Sequence, residues 1–311
     1  MRVLSEFDGY SGGRLALERA GIKVDAYFAS EVDKPAIAVT TANWPQTVQL
    51  GDVRNVNPDV LGHIDLLIGG SPCQDFSFSG SKRGMATECK EEVTTLERYL
   101  QLKAQGFKFA GQSYLFWEFV RSWRQIKATN PQAKFLLENV KMSKENLAVL
   151  SRAMGCEPIL VNSAMLSAQN RRRYYWTNWP TTQPEDKGIV LGDILQENVD
   201  AKYFLSQKAI DGFIKRKAKN VEKGHGFGHV LNNPGDKTGT LLARYCKDAK
   251  ECIVNDPKGW RKLTPIECER LQTVPDNYTA AASNSQRYKM LGNGWTVDVI
   301  AHLFRGMNDE N

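Results

Sequence analysis

Short apolar runs alternate with helix-period stretches through the first half of the chain, and that alternation narrows the possible folds sharply. Arg2–Glu6, Ala26–Ser30, Ile64–Gly69 and Phe135–Leu137 read as strands, with helices predicted over Arg14–Ala20, Lys34–Asn43 and Tyr114–Thr129. Strand–helix–strand units of this kind build a mostly parallel sheet covered on both faces. A further helix is predicted over Leu147–Met154, and strands over Pro158–Asn162 and Arg173–Thr177. The expected fold is α/β and Rossmann-like. Open sheets of this class bind ligands beyond the carboxyl ends of their strands, so the residues that close each strand carry the functional signal.

The texture changes near Trp179-Pro180. From there to about Trp260, glycine, asparagine, proline and lysine dominate and few clear strands are visible. Lys208, Lys215, Arg216, Lys217, Lys219 and Lys223 form one basic run, which a solvated helix face would also explain. Helical order returns after Arg261. Thr264-Pro265-Ile266-Glu267 places an N-cap and a first-turn proline ahead of a helix through Leu271, and Trp295–Phe304 reads as the final helix. The expected organisation is a large domain over 1–179 and 261–311, interrupted by a small irregular domain over 180–260.

A length of 311 residues suits one large domain with an appendage. The net charge of +6 permits a polyanionic partner, although a generic basic protein fits it equally well. The six cysteines contain no CxxC pair, and no histidine stands at ligand spacing beside Cys246 and Cys252. Reduced thiols, no metal and a cytoplasmic location are expected. No stretch is long and apolar enough to span a membrane, and the first residues do not read as a signal peptide.

Four strand ends carry chemistry-bearing residues. Phe7-Asp8-Gly9-Tyr10-Ser11-Gly12-Gly13 follows the first strand and opens the first helix, where glycines admit close approach of a ligand to backbone. A tight structural turn would look the same. Ser30-Glu31 ends the second strand, placing a carboxylate to accept from ribose hydroxyls, and Asp52 in Gly51-Asp52-Val53 could accept from an adenine amino group. With no GxGxxG present, these residues describe a nucleoside pocket rather than a dinucleotide pocket. Ile64 to Gly70 runs into Ser71-Pro72-Cys73-Gln74, presenting one thiol at the same sheet edge; a buried structural cysteine would read similarly. Phe135 to Val140 ends in Glu138-Asn139-Val140, a carboxyl placed to act as an acid beside that thiol, or a loop carboxylate. Gln169-Asn170-Arg171-Arg172-Arg173 precedes a strand. On an alternating strand, Arg171 and Arg173 share one face and Arg172 points away. Paired guanidiniums would favour a thiolate and bind phosphate or a base carbonyl, unless the run is a solvated basic turn.

Taken in order, these blocks resemble the C5-cytosine DNA methyltransferases over essentially the whole chain. Arg261-Lys262-Leu263-Thr264-Pro265-Ile266-Glu267 and Leu291-Gly292-Asn293 complete the series. Phe7-Asp8-Gly9, Gly69-Gly70-Ser71-Pro72-Cys73 and His302-Leu303-Phe304 look most like the animal de novo branch. The resemblance implies the fold of S-adenosylmethionine-dependent methyltransferases, with 180–260 as the target-recognition insert. It implies S-adenosylmethionine held by Phe7, Asp8, Gly9, Ser11, Gly12, Glu31, Val32, Asp52, Val53, Pro72, Asn293, Trp295 and Val297. Cys73 would attack cytosine C6, Glu138 would contact N3, and Arg171 and Arg173 would complete the catalytic set. Double-stranded DNA would meet Gln74, Ser77, Ser79, Lys82, Arg83 and Gln169, and Thr240, Arg244, Lys215, Arg216 and Lys217 of the insert. Glu267 and Arg270 look like the family's structural pair.

The segment after Cys73 is longer than in compact members of the family. Thr87–Gln105 is predicted to add a helix with Val93, Leu96, Leu100 and Lys103 on one face, for packing or for a DNA or subunit contact. The start at Met1 and the end near Arg305 leave no chromatin-reading module, so a stand-alone prokaryotic or viral modification enzyme is expected, with or without a cognate restriction endonuclease. A tRNA substrate is the alternative within the family, but that branch's Cys-Phe-Thr signature is absent. A catalytically dead DNA-binding subunit is the alternative outside enzymes, and intact Cys73, Glu138 and Arg171 argue against it.

Overall fold

The computed structural model describes residues 1–72, 86–89, 91–224 and 228–307. The chain divides into two compact units, one of Met1–Val161, Arg172–Gln183 and the residues from Ala301 onward, the other of Asn162–Arg171 and Pro184–Ile300.

The first unit carries β1 (Arg2–Glu6), α1 (Gly12–Arg19), β2 (Ala26–Ser30), α2 (Lys34–Asn43), β3 (Val48–Gln49), β4 (Leu66–Gly70), α3 (Leu96–Ala104), α4 (Phe116–Thr129), β5 (Lys134–Val140), α5 (Lys144–Met154), β6 (Ile159–Asn162) and β7 (Arg172–Thr177). Their strands form a seven-stranded sheet in the order β3-β2-β1-β4-β5-β7-β6. Pairing is parallel from β3 through β5, and β7 runs antiparallel to β5. Successive residues Val3 and Leu4, Leu66 to Ile68, and Leu136 and Leu137 are fully buried, as strands covered on both faces require. Phe116, Trp117, Phe119, Val120, Trp123 and Ile126 of α4 pack into the same core as Leu67, Phe135 and Leu137. The backbone passes too closely at Gly69 for a side chain, since a Cβ there would lie 2.8 Å from the Glu6 carbonyl.

One predicted helix is shorter than expected. Residues 87–89 and 91–95 are not helical, and α3 starts at Leu96 with Thr95 accepting from the Arg98 amide. Leu96, Tyr99 and Leu102 form the buried face, whereas Leu100 is exposed and Val93 is buried outside the helix. Lys103, also assigned to that face, does turn inward, but for a charge. Its Nζ lies 2.5 Å from the buried Glu118 carboxylate, which also receives the Tyr99 hydroxyl and Arg121 Nε.

The second unit contains α6 (Gln207–Glu222), β8 (Leu231–Asn232), α7 (Tyr245–Asp248), β9 (Ile253–Asp256), β10 (Gly259–Arg261), α8 (Pro265–Leu271), α9 (Asn284–Asn293) and the first part of α10 (Val297–Arg305). The insert is more ordered than its composition implied. The strands β8, β9 and β10 form a small sheet, parallel across β8–β9 and antiparallel across β9–β10. The basic run lies on α6, capped by Ser206, and no residue of that helix is buried. Thr264 caps α8 as the sequence predicts, and Glu267 returns a bond to the Thr264 amide, making a reciprocal capping box.

Glu267 does not pair with Arg270. Fully buried Arg261 donates to both of its oxygens at 2.8 and 2.9 Å and to Asp256 at 2.8 Å. Arg270, near the surface, pairs with Asp276 instead. Proximity to the turn decides this: β10 delivers Arg261 into the core directly beside the α8 cap.

Candidate active site

The turn after β1 is built around unusual backbone. Phe7, Gly9 and Ser11 take φ values of 57°, 60° and 59°, in the left-handed region. For the two non-glycines this costs about 1–2 kcal/mol each, and side-chain bonds offset it. Ser11 Oγ bonds the Asp8 carboxylate and lies 3.0 Å from Thr40 Oγ1, while the Tyr27 hydroxyl donates to Asp8 at 2.7 Å. Burial pushes the Asp8 carboxyl up to about 6, against the pull of the Ser11, Ser5 and Tyr27 hydroxyls. Gly12 is buried at the first turn of α1.

Glu31, just past β2, accepts from the Gly9 amide through Oε2 and from the Val32 and Asp33 amides through Oε1, each at 2.8 Å. A carboxylate has about four lone-pair directions, so the fixed Glu31 retains acceptor capacity for a hydroxyl. Val32 beside it is 66% exposed, and a Cβ on Gly9 would meet nothing within 4 Å. An open glycine, a held carboxylate and an exposed valine at one sheet edge fit the amino-acid, ribose and purine parts of S-adenosylmethionine. Asp52 follows on the next turn, with its carboxylate bound by the Arg54 amide and guanidinium, which holds it below the usual carboxylate range. Val53 is buried behind it, and Arg121 donates to the Val53 and Val56 carbonyls.

On the neighbouring strands, Glu138 stands opposite Gly70 of β4 and Tyr175 of β7. Arg173 Nε lies 3.0 Å from Glu138 Oε1, and both side chains are largely buried. Asn139, the next residue, donates from Nδ2 to Ser71 Oγ at 3.0 Å. That bond fixes the chain where it leaves β4 toward Pro72. Sequence reasoning assigned Asn139 no role, although its place in Glu138-Asn139-Val140 was the available signal. Cys73, Gln74, Ser77, Ser79, Lys82 and Arg83 lie outside the described residues.

The two arginines do not share a strand face. β7 begins at Arg172, so Arg171 precedes the alternation, and it lies in the second unit. Its guanidinium is buried and donates to the carbonyls of Leu241 (3.0 Å), Gly292 (3.2 Å) and Gly294 (2.9 Å). Those last two bracket Asn293, which is exposed at the end of α9; Trp295 is half-buried and Val297 is fully buried. Gln169 is likewise corrected as a DNA contact. It is fully buried, donating to the Leu271 carbonyl at 2.8 Å and accepting from the Leu241 amide at 3.3 Å. Thr240 donates to the Asn170 carbonyl at 2.6 Å. Lys215, Arg216, Lys217 and Arg244 are exposed.

Among the described residues, no group of three or more His, Cys, Asp or Glu side chains is arranged to hold a metal ion, and no helix is long and apolar enough to cross a membrane.

A parallel sheet with a glycine turn and acidic residues at successive strand ends defines a nucleoside-binding α/β enzyme of the methyltransferase kind. The chain belongs to the C-5 cytosine-specific DNA methylase family, whose model matches residues 1–148 and 159–309. It is a DNA (cytosine-5)-methyltransferase that uses S-adenosylmethionine. It is 33% identical to the type II methyltransferase M.NlaX of Neisseria lactamica over 326 residues, covering 98% of this chain and 96% of the relative. Identity to M.HpaII of Haemophilus parainfluenzae is 29%, covering 94% and 85% of the two chains. The fold matches Entamoeba histolytica EhMeth with a TM-score of 0.73 at 17% identity, covering 100% and 98% of the two chains. It matches a Spodoptera frugiperda DNMT2 mutant with a TM-score of 0.69 at 20% identity, covering 99% of each.

Proposed function

We propose that methylation proceeds through a covalent adduct formed by Cys73, with Glu138 and Arg173 serving the cytosine ring. The carrying observation is the Arg173–Glu138 pair at the end of β5, beside an asparagine that anchors the chain two residues before Cys73. Cytosine C5 is too weak a nucleophile on its own. The Cys73 thiolate adds to C6 while Glu138 delivers a hydrogen bond or proton to N3, and the ring becomes an enamine nucleophilic at C5. S-adenosylmethionine, which Glu31 and the turn around Gly9 would hold, would supply an electrophilic methyl group to C5 and leave as S-adenosylhomocysteine. C5 then loses its proton to a base, the C6–S bond breaks, and Glu138 recovers its proton. Arg173 orients the Glu138 carboxyl throughout, and Arg171 braces the backbone around Asn293.

The base must leave the duplex, at a cost of a few kcal/mol of unstacking. We assign catalysis to 1–179 and 261–311 and target recognition to 180–260, where Lys215, Arg216 and Lys217 on exposed α6 suit phosphate contacts. The type II names of the relatives support modification alongside a restriction endonuclease, in a bacterial or phage-infected cytoplasm.

Bisulfite sequencing of random-sequence plasmid, after incubation with protein and S-adenosylmethionine, tests this reading. Protected cytosines should recur in one sequence context and vanish with Cys73→Ser. Protection that survives in the serine variant refutes the covalent route.

A further inference from the structure

We propose that Arg244 reads a guanine of the recognition sequence from the major groove, aimed by Asp248. The inference rests on the assignment of 180–260 to target recognition and names the side chain that carries part of the specificity.

The backbone on either side of Arg244 is immobilised. Leu241 is fully buried, with its carbonyl held by Arg171 and its amide by Gln169. Leu242 and Ala243 pass so close to Gly292 that a Cβ there would lie 2.3 Å from their backbone. Tyr245 is fully buried, its hydroxyl donating to the Cys252 carbonyl at 3.0 Å and accepting from the Leu263 amide at 2.8 Å. From this fixed stretch the Arg244 side chain projects outward, 67% exposed.

A long exposed side chain is normally disordered, but this one is tied. Asp248, one turn later on α7, places Oδ2 2.9 Å from Arg244 Nε, and the carboxylate is itself 14% exposed. Asp248 sits beside Nε, and the edge formed by Nη1 and Nη2 is left on a side chain that is largely exposed. That edge has the spacing of guanine O6 and N7, the commonest specific arginine contact with DNA. The pairing also argues against a phosphate. A phosphate anchor works through net positive charge, and the adjacent carboxylate cancels it. A base edge carries only partial charge and is recognised by donor geometry. Among the described residues, no acidic side chain pairs with Lys215, Arg216 or Lys217 on α6, and these suit phosphates; Arg244 does not.

The test compares wild type, Arg244→Lys and Asp248→Asn by methylation of a random-sequence DNA pool with sequencing of modified sites, and by DNA affinity across a salt series. Wild type should require a guanine at a fixed offset from the methylated cytosine. Arg244→Lys should relax that one position about 10- to 100-fold while the salt slope stays unchanged. Asp248→Asn should weaken the same preference, yet steepen the salt slope by freeing a net charge. The proposal is overturned if Arg244→Lys preserves every positional preference, or if Asp248→Asn leaves the guanine preference intact. A wild-type recognition sequence without guanine overturns it alone; absence of any methylated cytosine overturns the catalytic reading as well.

Discussion

Replacing Arg171 by methionine separates a bracing arginine from a ring-side one. Its guanidinium is 3% exposed as a residue and reaches three carbonyls at 2.9 to 3.2 Å. Methionine fills much of the same volume but donates nothing, leaving the Leu241, Gly292 and Gly294 carbonyls short of a donor. Each buried acceptor left unpaired costs about 1–3 kcal/mol, and such losses are not additive within one network. Loss of about 3–5 kcal/mol is therefore expected from the three carbonyls together. At about 1.5 °C per kcal/mol for a chain of 311 residues, the melting temperature should fall by roughly 5–8 °C. Arg173→Met is the paired control. It leaves the largely buried Glu138 carboxylate without the Arg173 guanidinium, so stability should drop by about 1–3 kcal/mol. Turnover should fall about 100-fold as the Glu138 carboxyl loses its orientation. Scanning calorimetry alongside single-turnover methyl transfer reads both quantities. The reasoning fails if Arg171→Met melts with wild type while turnover collapses, or if Arg173→Met is destabilised and fully active.

Two further outcomes follow from charges outside that pair. Glu6 is fully buried, and burial pushes it up to about 8 against the pull of the Ser122 hydroxyl and Arg121. An acid raised in the folded state stabilises while protonated, so its contribution is complete below about pH 4.5 and declines as pH rises through about 8. Urea denaturation at stepped pH should show a slope of up to roughly 1.4 kcal/mol per pH unit across that window. The slope should flatten in Glu6→Gln; an identical pH profile would refute the burial argument. Replacing Lys215, Arg216 and Lys217 together by alanine should weaken DNA binding at all sequences and lower the salt slope by up to about three. An unchanged slope would place that face of α6 away from DNA.

Legibility in the sequence followed how local each interaction is. The β1 and β2 boundaries, the α2 helix and the α8 cap were readable because period, N-cap and proline act within a few residues. The α9 helix was not anticipated. Its sequence is polar, and it is buried through Arg287, whose partner Glu269 lies eighteen residues away. The same cause hid the partner of Glu267, since Arg270 was the nearer residue on the helix and Arg261 came from the preceding strand. At the site, Glu31 and Glu138 were legible as strand-end acids, but the division of labour between Arg171 and Arg173 was not. Arg171 lies one residue before β7 begins, so the alternation that would have set it on one face with Arg173 does not reach it. α6 showed in its charge and was not read as a helix, although Ile210, Phe213, Ile214 and Val221 recur at helical spacing.

The central claim is that a sulfur at position 73 bonds to cytosine C6, and mechanism-based trapping tests it most directly. Duplex DNA carrying 5-fluorocytosine at a methylatable site blocks the last proton loss. With S-adenosylmethionine present, wild-type protein should migrate as a denaturant-stable complex with that DNA, and mass spectrometry should locate the link at Cys73. Failure to trap on a site the enzyme methylates, or a link at any other residue, would contradict the account.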